Sequence, residues 1–291
     1  MTSIDWTLND VPDLHGQVAV VTGGTRGLGL ALTELLRERG ATVLTGARNA
    51  FGADAALLDL ADPVGVERFA DWARDRAGDI DLLINNAAIS NQPLALTSHG
   101  VESQLAVNHL GHVQLTRLLL PAMRDGGRVV TVTSALYPRG SLDLDRLDSA
   151  GSPGAAYVRS KLANVLFATE LDRRLRESGS TVRSLLAHPG LADTSMHDTY
   201  PDEATTQMVR AALAESGRAP RPASVGILYA ATTASDTALL YGPGGNLTDP
   251  YVEAEELTGP ALDSALAAAL WQRSAELTGM PAGADALPRT S

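Results

Sequence analysis

The sequence predicts an α/β protein, a single domain over residues 1–291 built on a doubly wound parallel sheet of about seven strands. Two observations indicate this class. Short runs of β-branched and apolar residues alternate along the chain with longer segments of helical periodicity, as in parallel strands joined by right-handed helical crossovers. Apolar residues make up 44% of the 291 residues and charged residues 20%, which is typical of a globular domain that buries a core.

The elements follow from these patterns in order, after an N-terminal arm over residues 1–13. The short apolar runs predict strands at Gln17–Thr22, Ala41–Thr45, Asp54–Leu58, Ile80–Ile84, Gly127–Val132, Val182–Ala187 and Gly245–Thr248. Helical spacing predicts helices over Leu28–Arg39, Val64–Ala77, Val101–Met123, Ala156–Glu177, Asp202–Glu215, Val225–Thr233 and Ala261–Thr278. Only Gly46–Ala53 separates the second and third strands, so we expect a truncated or absent helix there.

Charge and residue usage exclude several classes of protein. Acidic residues outnumber basic ones by 34 to 23, and a net charge of −11 disfavours binding to a nucleic-acid backbone. The chain has no run of eighteen apolar residues, which argues against a membrane span, and its first thirteen residues lack a basic signal-peptide segment. Cysteine is absent, which rules out disulfides and thiolate ligands. We therefore expect a cytoplasmic protein without nucleic-acid or membrane partners.

A glycine-rich turn lies between the first predicted strand and the first predicted helix. It reads Thr-Gly-Gly-Thr-Arg-Gly-Leu-Gly, with glycines at positions 23, 27 and 29. Such glycines let the backbone turn tightly and approach a pyrophosphate at the helix N-terminus. Ligands of open α/β sheets bind at the carboxyl ends of the strands, where this turn lies. The turn therefore predicts dinucleotide binding on a Rossmann fold.

The spacing Thr-Gly-x-x-x-Gly-x-Gly resembles that of the short-chain dehydrogenase/reductase family, and more of the family's motifs follow in register. They are Asp59-Leu60, Asn85-Asn86-Ala87-Ala88, Asn108, Ser134, Tyr157-Val-Arg-Ser-Lys161, Pro189-Gly190 and Thr194. Ala88 departs from the family pattern, which has glycine there. The stretches around Val107 and Tyr157 are most similar to the retinol dehydrogenase-like and protochlorophyllide reductase-like branches, and the resemblance runs from Leu14 to the C-terminus.

The resemblance implies a catalytic set of Asn108, Ser134, Tyr157 and Lys161. Tyr157 would be the general acid–base, Ser134 would orient the substrate oxygen, and Lys161 would hold the nicotinamide ribose. Asn108 would hold a water that links Lys161 to solvent. Lys161, the only lysine among the 23 basic residues, lies one helical turn after Tyr157. Together with an oxidised nicotinamide, its charge is expected to lower the tyrosine pKa from its ordinary value of about 10.

The resemblance also implies a cofactor site. Its residues are Gly23, Thr25, Arg26, Gly27, Leu28, Gly29, Arg48, Asp59, Leu60, Asn86, Ala87, Tyr157, Lys161, Pro189 and Thr194. Asp59 would contact the adenine and Thr194 the carboxamide of the nicotinamide. The second strand is followed by Arg48, without an acidic residue for a ribose 2′-hydroxyl, and Arg26 can reach the same pocket. Because arginine suits a 2′-phosphate, we expect NADP(H) rather than NAD(H), unless both are ordinary surface arginines.

These residues predict an NADP(H)-dependent oxidoreductase that acts on a carbonyl or a secondary alcohol. A ketoreductase for a hydrophobic small molecule, for example in secondary-metabolite tailoring, is the leading form. The segment 195–222, which is the substrate lid in the family, is rich in apolar residues, although packing explains these almost as well. Two alternatives stay open: a carbon–carbon double-bond reductase, and a non-catalytic regulator that senses NADP(H).

The remaining predictions concern the roles of three histidines and the self-association of the chain. His109 and His112 lie one helical turn apart but lack a third ligand at suitable spacing, so we expect no metal and assign both, with His188, to structure. By resemblance, a homodimer could form through the helices that carry Asn108 and Tyr157, and a monomer remains open.

Overall fold

The computed structural model describes residues 1–50, 52–197, 200 and 202–281, and residues 282–291 of the predicted domain lie outside it. The strands are β1 Thr2–Ile4, β2 Val18–Thr22, β3 Thr42–Ala47, β4 Ala55–Leu57, β5 Ile80–Asn85, β6 Met123–Val132, β7 Arg183–Ala187, β8 Leu239–Pro243 and β9 Val252–Glu256. The helices are α1 Gly27–Glu38, α2 Pro63–Ala77, α3 Ser103–Leu105, α4 Gly111–Leu119, α5 Pro153–Glu177, α6 Glu203–Ser216, α7 Pro220–Ala223, α8 Val225–Thr232 and α9 Ser264–Thr278.

All nine strands belong to one sheet, in the order β1-β9-β8-β7-β6-β5-β2-β3-β4. The seven from β8 to β4 are parallel, which confirms the doubly wound α/β class, while β9 and β1 add an antiparallel edge. The predicted count of about seven strands was therefore too low. The strand predicted at Gly245–Thr248 was also wrong, because the Asn246 side chain accepts hydrogen bonds from the amides of Thr248 and Asp249 and folds this segment into a turn.

The connection between β3 and β4 is as short as the sequence predicted. Its described residues, 48–50 and 52–54, contain no helix. The Thr45 amide donates to the Asp54 carbonyl over 2.8 Å, and the Leu58 amide donates to the Ala47 carbonyl over 3.0 Å. The backbone thus enters a parallel pairing almost directly, and no crossover helix covers this end of the sheet in the described residues.

The single helix predicted over Val101–Met123 is divided in the structure. A π-helical segment, Ala106–Leu110, separates α3 from α4, and a 3-10 turn over Leu120–Ala122 ends the run before β6 begins at Met123. Pro121, which cannot donate a backbone hydrogen bond, accounts for the early end of the helix. The π-helical segment contains Asn108 and places it where the sheet's carboxyl edge meets α5.

Helices cover both faces of the sheet. On one face, α1 and α8 pack with the N-terminal arm, burying Leu32, Ile227 and Trp6. On the other, α2, α4 and α5 pack against the strands, burying residues such as Phe69. With both faces closed, the carboxyl ends of the parallel strands remain as the edge where a ligand can reach the backbone. Within the described chain, no helix combines the length and apolarity needed to cross a membrane.

Helix α9 covers the outer surface of α4 and α5. The rings of Phe167 on α5 and Trp271 on α9 stack with centroids 5.8 Å apart, and the Arg117 guanidinium lies 4.3 Å from the Trp271 ring. The His109 ring is hydrogen-bonded to the Ser274 hydroxyl over 3.0 Å. The helix that carries Tyr157 is therefore buried between the sheet and α9.

Candidate active site

The glycine-rich turn brings the N-terminus of α1 close to the end of β2. Gly23 has a φ of 68°, in the left-handed region that favours glycine. A Cβ on Gly29 would lie 2.1 Å from the Gly23 carbonyl oxygen, and one on Gly27 would lie 3.4 Å from Thr194. Because no side chain caps α1 at Arg26, its first amides point into this glycine cradle, which fits a pyrophosphate.

Other residues predicted for the cofactor line the same edge of the sheet. Asn86 and Ala87 directly follow β5, and both donate their amides to the Thr22 hydroxyl over 2.9 Å. Asp59 follows β4 and accepts a hydrogen bond from the Ala61 amide over 2.9 Å. Leu60 after β4 is buried, while Pro189 after β7 is half-buried. Thr25 and Leu28 belong to the glycine turn itself.

The two arginines expected at a 2′-phosphate are both exposed. Arg26 immediately precedes α1, and Arg48 immediately follows β3. Because β2 and β3 pair in parallel, the segments that follow these two strands are neighbours. Neither guanidinium has a hydrogen-bond or ion-pair partner among the residues that the structure describes. Their charges are therefore available to an anion at this edge.

Asn108 is fully buried and fixes the segment after β5. Its side-chain carbonyl accepts the Ile89 amide over 2.8 Å, and its amide group donates to the Ile89 carbonyl and the Ser160 hydroxyl, each over 2.9 Å. The Ser160 hydroxyl in turn donates to the Tyr157 carbonyl over 2.7 Å. Asn108 thus connects the β5 loop to the backbone of the catalytic candidate on α5.

Ser134, Tyr157 and Lys161 meet at the ends of β6 and α5. The Ser134 side chain lies close enough to the Tyr157 phenol to influence its pKa. The Lys161 ammonium lies 5.7 Å from the centroid of the Tyr157 ring and donates to the Val132 carbonyl over 3.0 Å. A phenol, a hydroxyl and a buried cation at one point are what proton transfer to a carbonyl oxygen requires.

Burial dominates the protonation of this group. It raises the pKa of Tyr157 to about 12, although the neighbouring Ser134 hydroxyl lowers it in part, and it lowers the pKa of Lys161 to about 8. The predicted lowering of the Tyr157 pKa is therefore wrong for the protein by itself. Tyr200, from the predicted lid, is close enough to Tyr157 to contribute to the rise, and no sequence motif had assigned it to the site.

The segment predicted as a lid leaves and rejoins the body at one point. The Asp193 amide donates to the Arg218 carbonyl over 2.7 Å, and the Arg218 amide donates to the Leu191 carbonyl over 2.8 Å. Between these residues, α6 confirms the helix predicted over Asp202–Glu215. Positions 198, 199 and 201 of the predicted lid lie outside the described residues.

Near Tyr157, the structure contains a buried ion pair that the sequence did not predict. Arg159 and Glu102, both almost fully buried, approach to 3.4 Å. The Glu102 amide donates to the Leu147 carbonyl over 3.0 Å, and Arg159 donates to the Arg146 carbonyl over 3.2 Å. The pair thereby anchors the segment between Ser134 and α5, and no short-range pattern indicates such a contact.

The histidines have separate protein partners. The His109 ring is hydrogen-bonded to the Ser274 hydroxyl, and the His112 ring is hydrogen-bonded to the Thr22 hydroxyl and the Asn108 carbonyl. The His188 ring lies 3.5 Å from a Glu255 carboxylate oxygen. Among the described residues, no group of three or more histidine or acidic side chains could hold a metal ion.

His109 and His112, both buried, make stability sensitive to acid. Burial lowers the pKa of His109 to about 3 and that of His112 to about 4, from 6.5. Below pH 6.5 the unfolded chain therefore binds protons that the folded chain does not, so the free energy of unfolding should fall as the pH decreases from 6.5 towards 4. The slope approaches about 1.4 kcal/mol per pH unit for each histidine.

Urea unfolding at several pH values measures this slope. His109→Gln should flatten it, whereas His99→Gln, at an exposed position, should not change it. An unchanged slope in His109→Gln would show that the lowered pKa of His109 does not cause the pH dependence.

A parallel sheet with a glycine cradle at its carboxyl edge, and a serine, a tyrosine and a lysine meeting beside it, define a nicotinamide-dependent oxidoreductase. Residues 17–205 match the family model described as short chain dehydrogenase. The chain therefore belongs to the short-chain dehydrogenase/reductase family, in its retinol dehydrogenase-like branch, as the sequence motifs indicated. The crystal structure of a short chain dehydrogenase from Burkholderia cenocepacia in complex with NADP is 25% identical, covers 76% of this chain and 92% of its own, and superposes with a TM-score of 0.59.

Known relatives match nearly the whole chain. Polyprenol dehydrogenase of Mus musculus is 36% identical over 94% of this chain and 87% of its own length. Human retinol dehydrogenase 13 is 32% identical over 92% of this chain and 86% of its own. The crystal structure of an uncharacterized protein from Mycobacterium paratuberculosis is 35% identical, covers 97% of this chain and 100% of its own, and superposes with a TM-score of 0.77.

Proposed function

We propose that this chain is an NADP(H)-dependent ketoreductase that transfers hydride between nicotinamide and the carbonyl of a hydrophobic small molecule, with Tyr157 as general acid–base. One observation carries the proposal: the Lys161 ammonium lies 5.7 Å from the centroid of the Tyr157 ring, and Ser134 lies beside the same phenol. A regulator that only senses the cofactor needs no proton donor at this point.

The cofactor residues fit the dinucleotide in the order in which the strands present them. The glycine cradle and the α1 amides would hold the pyrophosphate, Asp59 and Leu60 the adenine, and Arg26 with Arg48 a 2′-phosphate. The nicotinamide half would lie against Asn86, Ala87, Pro189 and Thr194. Bound there, the cofactor supplies the hydride and, when oxidised, a positive charge near Tyr157.

The side chains then account for the proton. Tyr157, which burial keeps protonated at neutral pH, donates its proton to the substrate oxygen as the carbonyl carbon gains hydride, and an alcohol results. Ser134 donates a hydrogen bond to the same oxygen and holds it near the phenol. The Lys161 ammonium stabilises the phenolate that Tyr157 leaves behind, which offsets the cost of a buried negative charge.

Large apolar side chains support a hydrophobic substrate. Leu94 and Leu96 lie on the segment after β5, Leu136 follows Ser134, and Met208 lies on α6 of the lid. All four are more than one-third exposed, although such residues usually pack inside. They belong to the three segments that continue from the sheet edge where Tyr157 lies.

The experiment is NADPH oxidation by the purified chain on ketones and aldehydes of increasing alkyl length. We expect turnover, with kcat/KM rising as the apolar part grows. An enone distinguishes the reductase alternative, since a saturated ketone as product would indicate double-bond reduction and an allylic alcohol would indicate carbonyl reduction. NADPH binding without turnover on any carbonyl would favour the sensing regulator.

Arg48→Ala tests the cofactor preference. Loss of this guanidinium should raise KM for NADPH about tenfold or more and leave KM for NADH nearly unchanged, because only NADPH carries the 2′-phosphate. Steady-state kinetics with both cofactors measure the effect, and Arg139→Ala, at another exposed arginine, is the matched control. Equal effects on both cofactors would reject the NADP(H) preference.

Self-association through α4 and α5, which the family resemblance left open, is expected to be absent. Leu162, Val165, Leu166 and Phe167 on α5 are buried within the chain, and Trp271 of α9 stacks on Phe167. The chain thus covers by itself the face that would pair. Sedimentation equilibrium should give the monomer mass at micromolar concentration, and a stable dimer would show that another surface mediates association.

A further inference from the structure

Both lone pairs and the proton of the Thr22 hydroxyl are used in hydrogen bonds. It accepts the amides of Asn86 and Ala87, each over 2.9 Å, which uses both lone pairs. Its single proton is left for the His112 Nε2, 2.9 Å away, whereas the other acceptor in reach, the Ile84 carbonyl, is 3.4 Å away. Nε2 of His112 therefore accepts a hydrogen bond and carries no proton.

The hydrogen-bond partner of the other ring nitrogen, Nδ1, determines its protonation as well. His112 Nδ1 lies 3.0 Å from the Asn108 carbonyl oxygen, which can only accept, so Nδ1 carries the proton. The ring is 2% exposed and near the Lys161 ammonium, an environment that opposes a second charge. His112 is thus a neutral imidazole with one defined tautomer.

Two further hydrogen bonds extend this series to the catalytic candidate. The Asn108 side chain donates to the Ser160 hydroxyl over 2.9 Å, and that hydroxyl donates to the Tyr157 carbonyl over 2.7 Å. A directed series therefore runs from the Asn86–Ala87 turn through Thr22, His112, Asn108 and Ser160 to Tyr157. His112, in the middle of the series, connects Thr22 of β2 to Asn108 of the π-helical segment.

We propose that His112 is a positioning residue, which, given the proposed function, sets the place of Tyr157 relative to the nicotinamide site. It does so by holding the Asn86–Ala87 turn and the Asn108 π-helical segment at a fixed separation. His112 touches neither the expected substrate nor the cofactor. Its effect is therefore on the geometry of proton and hydride transfer, which depends steeply on small displacements.

The tautomer is tested directly in the wild-type chain by long-range ¹H–¹⁵N correlation spectra of the histidine rings, assigned with His112→Asn. We expect a neutral ring protonated on Nδ1 throughout pH 5.5–8.5, and a shift of its resonances when NADP⁺ is added. A ring protonated on Nε2, or one that becomes charged near pH 6.5, would overturn the proposal. This measurement does not depend on turnover.

Three variants separate positioning from packing. His112→Leu removes both hydrogen bonds, and His112→Asn keeps an amide N–H near the Nδ1 position to donate to the Asn108 carbonyl. His109→Leu is the matched control, because His109 is an equally buried ring next to the same helix whose bond leads to Ser274, outside the series.

We expect His112→Leu to lower kcat about 10–100-fold with KM for NADPH within about threefold of wild type, and His112→Asn to recover part of that loss. His109→Leu should lower Tm by a similar amount and keep kcat within about twofold. Equal kcat losses in the two leucine variants, or none in His112→Leu, would overturn the proposal. A wild-type chain inactive on every carbonyl would instead reject the proposed function, and the spectra would still decide the state of His112.

Discussion

Tyr157→Phe is expected to reduce turnover by about 10²–10⁴-fold while the affinity for NADPH changes little. The phenylalanine ring fills the same space beside Lys161 but has no proton to donate. Single-turnover rates measure the chemical step, and NADPH fluorescence titration measures binding. Thermal unfolding checks that the variant is folded.

Tyr241→Phe is the matched control for this change. The Tyr241 side chain on β8 is buried, and its hydroxyl donates to the Asp236 carbonyl over 2.7 Å. Its loss should cost about 1 kcal/mol of stability and leave turnover unchanged. Turnover retained in Tyr157→Phe would assign the proton donor elsewhere and remove the basis of the proposed function.

Lys161→Arg is expected to keep the fold and lose most of the turnover, by about 10²-fold or more. Arginine keeps the charge, but its planar guanidinium needs more room and has five N–H donors to satisfy. Lys161 is 2% exposed and has one described carbonyl acceptor, that of Val132, so the larger group would displace the Tyr157 ring or leave donors unpaired. Near-full activity in Lys161→Arg would show that a buried positive charge alone suffices.

Lys161→Met separates charge from shape and has a second readout. Burial lowers the Lys161 pKa to about 8 from 10.5, so between these values the unfolded chain binds more protons than the folded chain. The free energy of unfolding should therefore rise as the pH increases from about 8 to about 10.5, and the cost of the buried charge is complete below pH 8. Lys161→Met should lose this rise, and an unchanged slope would place the charge in solvent.

The body of the sheet was predictable because its strands are buried on both faces and are therefore continuous apolar runs. Strands β1, β8 and β9 were missed. A strand at the antiparallel side of the sheet need not be apolar throughout: in Val252–Glu256 only Val252 and Ala254 are buried, and charged residues occupy the rest. The division of the helix at Asn108 was missed for another reason. A π-helical turn depends on tertiary contacts such as those of Asn108 with Ile89, which periodicity does not encode.

The candidate site was predictable as a set of residues and less so as an electrostatic environment. Motif spacing assigned Ser134, Tyr157 and Lys161 to one place, where the structure also has them. The direction of the Tyr157 pKa shift depends on how completely the lid and neighbouring elements exclude water, which pairwise spacing cannot show. Likewise, Thr22 and His112 are far apart in the sequence, and their hydrogen bond follows only from the packing of α4 against β2.

The position of α9 has a consequence for how the chain reaches its native state. Phe167 and Trp271 are distant in sequence, and such non-local contacts form late because chain entropy must be lost before they stabilise anything. Until α9 docks, the apolar side of α5 is bare, and partly folded molecules expose a surface on which they can aggregate. Refolding yield is therefore expected to fall steeply with protein concentration, because the late docking of α9 leaves time for misassembly.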